Sequence, residues 1–84
     1  MSNPSRVASL MPQERLFRRR IAQNLNTFMK DRQITNEDMH VATGLSAAVI
    51  SNLRTGKGNP QLRTLALIAH ALNITIDDLI ANIR

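Results

Sequence analysis

The stretch TGLSAAVISNLRTGKGNP, residues 43–60, decides how this chain is read. Gly44 offers the left-handed residue that closes a preceding helix, and Ser46 offers an N-cap for the next one. Leu45 and Ile50 stand at the staple positions around that cap. The helix that follows, expected over about 47–54, opens with the small side chains of Ala47 and Ala48. Its positive charges, Arg54 and Lys57, come only afterwards, and Gly56 supplies a second left-handed stop. A helix with a small, uncharged front can bring its backbone close to a partner surface. Ile50 and Leu53 recur at helical spacing and are expected to face inward, which turns Ala47, Ala48, Ser51 and Asn52 outward.

The flanks repeat the same local devices. Upstream, Thr35 is an N-cap with Asp38 at the reciprocal capping-box position and Ile34 against Met39 as a staple, opening a helix over about 36–43. Thr75, Asp78, Ile74 and Leu79 repeat that arrangement before a fifth helix. Asn59-Pro60 reads as a cap followed by proline at the first helical position, which predicts a helix over about 60–72. Its apolar face is Leu62, Leu65, Ala66, Ile68, Ala69 and Leu72. At the other end, Phe17, Ile21, Leu25 and Phe28 share one face of a helix expected over about 12–32, with Pro12 at its start. Residues 1–11, with Pro4, serines and an asparagine, are expected to form a flexible arm. The reading is a compact all-α domain of five helices over 12–84, with no internal repeat.

Composition narrows the partners. Eleven Lys and Arg against six Asp and Glu give a formal net charge of +5 on 84 residues, which favours polyanions, nucleic acid foremost. There is no cysteine, so neither a disulfide framework nor a thiolate metal site is available. No apolar run reaches the roughly 18 residues of a membrane span. The opening MSNPSRVASLMP lacks the apolar centre of a secretion signal, so a soluble cytoplasmic protein is expected. Phe17 and Phe28 are the only aromatics, and both are assigned to the core. With no aromatic left to stack on unpaired bases, duplex DNA ranks above RNA.

Two short helices joined by a tight turn form a helix-turn-helix, whose second helix enters the DNA major groove. With that arrangement in place, the chain resembles the lambda-repressor-like, Cro/C1-type (XRE) DNA-binding domains from about Ile21 to Leu79. The resemblance is carried by ITNEDMHVATGLSAAVISNLRTGKGNPQLRTLALIAHALNITIDDLI, in particular Gly44, Ser46, Ile50, the GKGNP loop and the start of the fifth helix. It implies a five-helix fold, sequence-specific binding to duplex DNA, usually as a dimer, and transcriptional control; no cofactor is expected. Three positions depart from the family pattern. Arg54 replaces the usual Glu, and Met29 stands where its Arg partner in the first helix is expected, so Arg54 is expected to be free for an anion. Asn36 replaces the usual Gln as a shorter donor to the same phosphate. His40 stands where the family prefers Ala, against the tight turn, and so bears on how the second and third helices pack.

The candidate base-contacting residues are Ala47, Ala48, Ser51 and Asn52. The alanines either approach thymine methyls or are plain helix formers on a solvated surface. Asn52 suits either adenine or a phosphate. The candidate phosphate donors are Asn36, Ser46, Arg54, Thr55, Lys57 and Asn59. In RLFRRR, residues 15–20, successive arginines turn by about 100°, so Arg18, Arg19 and Arg20 cannot share a face. One or two of them reach phosphates, or the run is a solvated face. His40 and His70 are expected to be structural rather than metal ligands, and Asp77 and Asp78 to serve the helix dipole. TGKGNP lacks the spacing of a phosphate-binding P-loop, and no nucleophile-base pair points to an enzyme. Ile80 and Ile83 are the expected homodimer contact. The rival reading is a protein-interaction module of the antitoxin or adaptor type, with a toxin or antirepressor as partner.

Overall fold

The computed structural model describes residues 11–82, which form five helices and no strand. Helix α1 is Met11–Asp31, α2 Asn36–Thr43, α3 Ala47–Arg54, α4 Leu62–Leu72 and α5 Ile76–Ile80. The expected arm up to Leu10, with Arg6, and the chain end with Ile83 lie outside the described residues. Among those described, no helix is long and apolar enough to cross a membrane.

Local chemistry sets most of these boundaries. Thr35 Oγ1 accepts the Asp38 N–H at 3.1 Å while the Asp38 carboxylate accepts the Thr35 N–H at 2.9 Å, so both ends of the capping box are made. Thr75 and Asp78 form the same pair at the start of α5. Ser46 Oγ accepts the Val49 N–H at 3.2 Å and opens α3. Gly44 closes α2 at φ 74°, a conformation that a residue with a Cβ adopts only at a cost.

The start of α4 departs from expectation. Its N-cap is Gln61, without a side-chain cap bond, and Asn59-Pro60 stays in the preceding loop. That loop folds back on α3 instead: the Lys57 N–H donates to the Asn52 carbonyl at 2.9 Å, and Gly58 takes φ 80°. The chain is committed to this turn until past Pro60, which delays the helix.

Ile21, Leu25, Met29, Met39, Ile50, Leu53, Ile68, Ala69, Leu72 and Leu79 form one buried cluster drawn from all five helices. In it α1 packs on α3 and α5, α2 on α3 and α4, and α4 on α5. Asn24 is the polar exception. It is buried, and its Nδ2 donates to the carbonyls of Leu79 at 2.7 Å and Ala81 at 2.9 Å. A helix as short as α5 cannot pair its own last carbonyls, so Asn24 serves as their donor from α1.

Three apolar assignments are corrected. Phe17 is 43 % exposed, although its spacing places it on the face of Ile21 and Leu25. That face runs on past the point where other helices cover it, so Phe17 meets only the margin of α4, α5 and the 59–60 loop. Leu62 is 71 % exposed because it opens α4, ahead of the stripe formed by Leu65, Ile68, Ala69 and Leu72. Ala66 is exposed because it lies about 100° round the helix from Leu65.

Candidate nucleic-acid interface

Helix α3 has two unlike faces. Ile50 and Leu53 are buried at 0 % and 4 % exposure, which fixes the helix to the domain. Ala47, Ala48, Ser51 and Asn52 are all exposed on the other side. Val49, at 37 % exposure, joins them as an apolar edge that spacing from Ile50 alone does not reveal. Small side chains on an anchored helix leave its backbone free to approach a groove floor closely.

The turn between α2 and α3 occupies residues 44–46 and is braced from α2. The Thr43 hydroxyl donates to the Met39 carbonyl at 2.6 Å and accepts the Leu45 N–H at 3.1 Å. His40 Nδ1 lies 2.6 Å from the Leu45 carbonyl. A carbonyl only accepts, so the proton resides on Nδ1 and the ring is a donor to the turn. His40 itself is exposed, while Met39 fills the core beneath the turn. The bulky residue therefore supports the packing of α2 on α3 instead of disturbing it.

Arg54 is not free. Its Nε donates to Asn26 Oδ1 and its terminal nitrogen to Asn36 Oδ1, each at 2.6 Å. Asn26 Nδ2 returns a bond of 3.0 Å to the Arg54 carbonyl at the end of α3. Across from Arg54 on α1 stands Asn26, and Met29 is buried at 1 % in the core. Both acceptors are neutral amides, so the guanidinium is held in place with its charge uncompensated. Arginine has no acceptor, which fixes the orientation of both amides. The Asn36 Nδ2 is consequently left as a donor at the start of α2, where the dipole also favours an anion.

The other expected phosphate donors divide. Ser46 spends its lone pairs on the cap and keeps its hydroxyl proton, on an exposed residue. Lys57 and Asn59 line an open depression with Val49 and Asn52, alongside the exposed face of α3. Thr55 is different: its hydroxyl donates to the Ser51 carbonyl at 2.9 Å, and its N–H donates to the same carbonyl. Both of its donors finish α3, leaving none for a phosphate.

Sequence reasoning missed Asn26, whose role depends on a partner 28 residues away, and left Arg15 out of the arginines it weighed as phosphate contacts on α1. Arg15, Arg18 and Arg19 lie on one face with Ala22, Gln23 and Asn26, and together with Arg54 they line a single open groove. The spacing of Arg15 to Arg18 and Arg19 was the available signal. Arg20 points elsewhere, with its guanidinium 5.8 Å from the centre of the Phe17 ring. An aromatic is thus exposed after all, and the ranking of duplex over RNA on lack of aromatics falls away; the helix-turn-helix geometry takes its place. Among the described residues no three His, Asp or Glu side chains cluster to hold a metal.

The sequence profile of the Cro/C1-type HTH DNA-binding domain matches residues 24–83. The chain belongs to this family. Its Cro/C1-type domain is a DNA-binding module of transcription regulators, and its partner is double-stranded DNA. No curated protein and no solved structure matches the chain significantly.

Proposed function

We propose that the protein is a sequence-specific transcriptional repressor that acts in the cytoplasm as a homodimer on a near-palindromic operator. The observation that carries this reading is the two-faced α3: anchored by Ile50 and Leu53, open at Ala47, Ala48, Ser51 and Asn52, and flanked by donors. The open residues read base edges, with the alanines against thymine methyls and Asn52 towards a base or the adjoining phosphate. Asn36, Ser46, Arg54, Lys57 and Asn59 contact the backbone, and Thr55 holds the helix end. With no Arg or Gln at the front of α3, DNA shape contributes much of the specificity. Occupying a groove excludes other proteins from it, so repression is the regulatory sign that needs no further surface.

The dimer contact is assigned to Ile80 and Ile83. Ile80 is half-buried and borders an apolar groove with Phe17, Ile21 and Leu65, so apolar surface remains open at that edge of the domain. A two-fold contact there sets two α3 helices about one duplex turn apart, roughly 34 Å. Selection from a random duplex pool is expected to return a near-palindrome. Ala48→Glu is expected to abolish binding with unchanged helical circular dichroism, because it sets a charge against the groove floor. Lys57→Ala is expected to weaken all sequences alike and flatten the salt dependence by about one unit of slope. Undiminished operator binding by the Ala48→Glu variant would overturn the reading.

A further inference from the structure

The groove on α1 lies outside everything the base-reading surface requires. Four arginines, Arg15, Arg18, Arg19 and Arg54, line an open volume of about 420 Å³ with Ala22, Gln23, Asn26, Thr55 and Gly56. Among the described residues no carboxylate lines it. Glu14 lies 3.8 Å from Arg18, in a pair whose acidic side chain is 60 % exposed. Such a pair neutralises little.

The backbone brings these residues together. Gly56 has φ 73°, and a Cβ built on it would lie 3.8 Å from the Arg18 carbonyl oxygen and 4.0 Å from Ala22 Cβ. The turn that ends α3 therefore lies alongside α1, with room for no more than ordinary contact. A second depression, lined by Asn26, Asn36, Ser51, Arg54 and Thr55, shares Asn26, Arg54 and Thr55 with the arginine groove. Ser51 belongs to the exposed face of α3, so the basic surface is continuous from the base-reading side onto α1. Between Arg15 and Asn26 the helix rises roughly 16 Å at about 1.5 Å per residue, which matches the rise of about five base pairs at 3.4 Å each. Arg15, Arg18 and Arg19 lie ahead of residues 24–83, the segment that matches the family profile.

We infer that Arg15, Arg18 and Arg19, with Arg54 as the hinge to α3, form a sequence-independent track for the DNA phosphate backbone flanking the segment read by α3. The inference rests on the duplex-DNA reading above. Guanidinium forks suit phosphate oxygens, and the neutral partners of Arg54 leave its charge available to the same strand. The track adds affinity and salt sensitivity without adding base preference.

The test is the salt dependence of binding to one duplex of roughly 20 base pairs, about two helical turns. The wild type is compared with Arg15→Ala/Arg19→Ala and with a charge-matched control, Lys30→Ala/Arg63→Ala. All four substituted residues are exposed, and neither control residue lines the groove. The first double variant is expected to bind at least roughly tenfold more weakly at low salt, with a slope flatter by about two units per bound subunit. The control is expected to keep nearly the wild-type slope, and all sequences are expected to weaken equally in the groove variant. Equal flattening in both doubles would overturn the track, since net charge alone would then explain it. A groove variant that binds like the wild type would overturn it too, while leaving the duplex reading in place. A wild type with no salt-dependent duplex binding would overturn both.

Discussion

The two halves of α1 belong to the same helix but do different work. From Ile21 onward it supplies Ile21, Ala22, Asn24, Leu25 and Met29 to the buried interior, with Phe28 packed against it. Before Ile21 every described side chain is exposed or only half-buried, including Leu16 at 40 % and Phe17 at 43 %. Helical periodicity runs unbroken through both halves, so it does not distinguish them. What distinguishes them is whether another helix lies opposite. The second half is held between α3 and α5 and carries the fold, whereas the first meets only the margins of its neighbours and carries cations.

That contrast is broken most directly by truncating one leucine in each half. Leu25 is fully buried, so Leu25→Ala is expected to lower unfolding free energy by about 2–5 kcal/mol through lost contacts and a residual cavity. Leu16→Ala is expected to change it by less than about 0.5 kcal/mol. Urea denaturation of the two variants measures both, and a comparable loss at Leu16 would show that the first half also belongs to the core.

The next largest effect concerns the only buried polar residue among those described, Asn24. Removing its amide leaves the carbonyls of Leu79 and Ala81 without their donor, and Asn24→Ala is expected to cost about 1–3 kcal/mol. Hydrogen exchange is the sharper measurement: protection is expected to fall first in α5, because Asn24 is its tether to α1. A uniform loss over all helices would instead mean that α5 is held by Leu79 alone.

How much of this was legible in the sequence follows the range of the interactions. The caps at Thr35, Ser46 and Thr75 and the stop at Gly44 act within a few residues, and the helices α2, α3 and α5 begin where those residues place them. Ile50 and Leu53 likewise fix which face of α3 is open. Asn24 and Asn26 were not legible, because an asparagine between apolar residues reads as a break in the stripe until its partners 55 and 28 residues away are seen. Arg54 looks free in the sequence for a related reason: a missing carboxylate is visible there, but two amides converging from α1 and α2 are not. Phe17 and Leu62 show the remaining limit, since periodicity gives the direction of a side chain and not how far its cover extends.

The smallest effect separates the two capping boxes, and with them the two ends of α1. The carboxyls of Asp38 and Asp78 are both held below the usual aspartate range, first by the backbone N–H and then by the hydroxyl of Thr35 and Thr75 respectively. Asp78 has one further influence, the positive charge of Arg32 just beyond the end of α1. Arg32 lies 5.0 Å from the centre of the Phe28 ring, which holds the cation near the domain surface. A folded-state pKa below the unfolded value means that each carboxylate contributes stability above the unfolded pKa and loses it as pH falls through the folded one. Stability is therefore expected to hold from neutral pH down to about pH 4 and to decline below it. Arg32→Ala is expected to move the titration of Asp78 upward and leave that of Asp38 in place, as followed by carboxyl NMR, with the difference shrinking in high salt. Equal movement of both groups would mean that Arg32 acts through net charge alone. Movement of Asp78 only would show that the end of α1 acts on α5 electrostatically, in addition to the tether that Asn24 provides, while its arginine-rich beginning lies beside the C-terminal cap of α3.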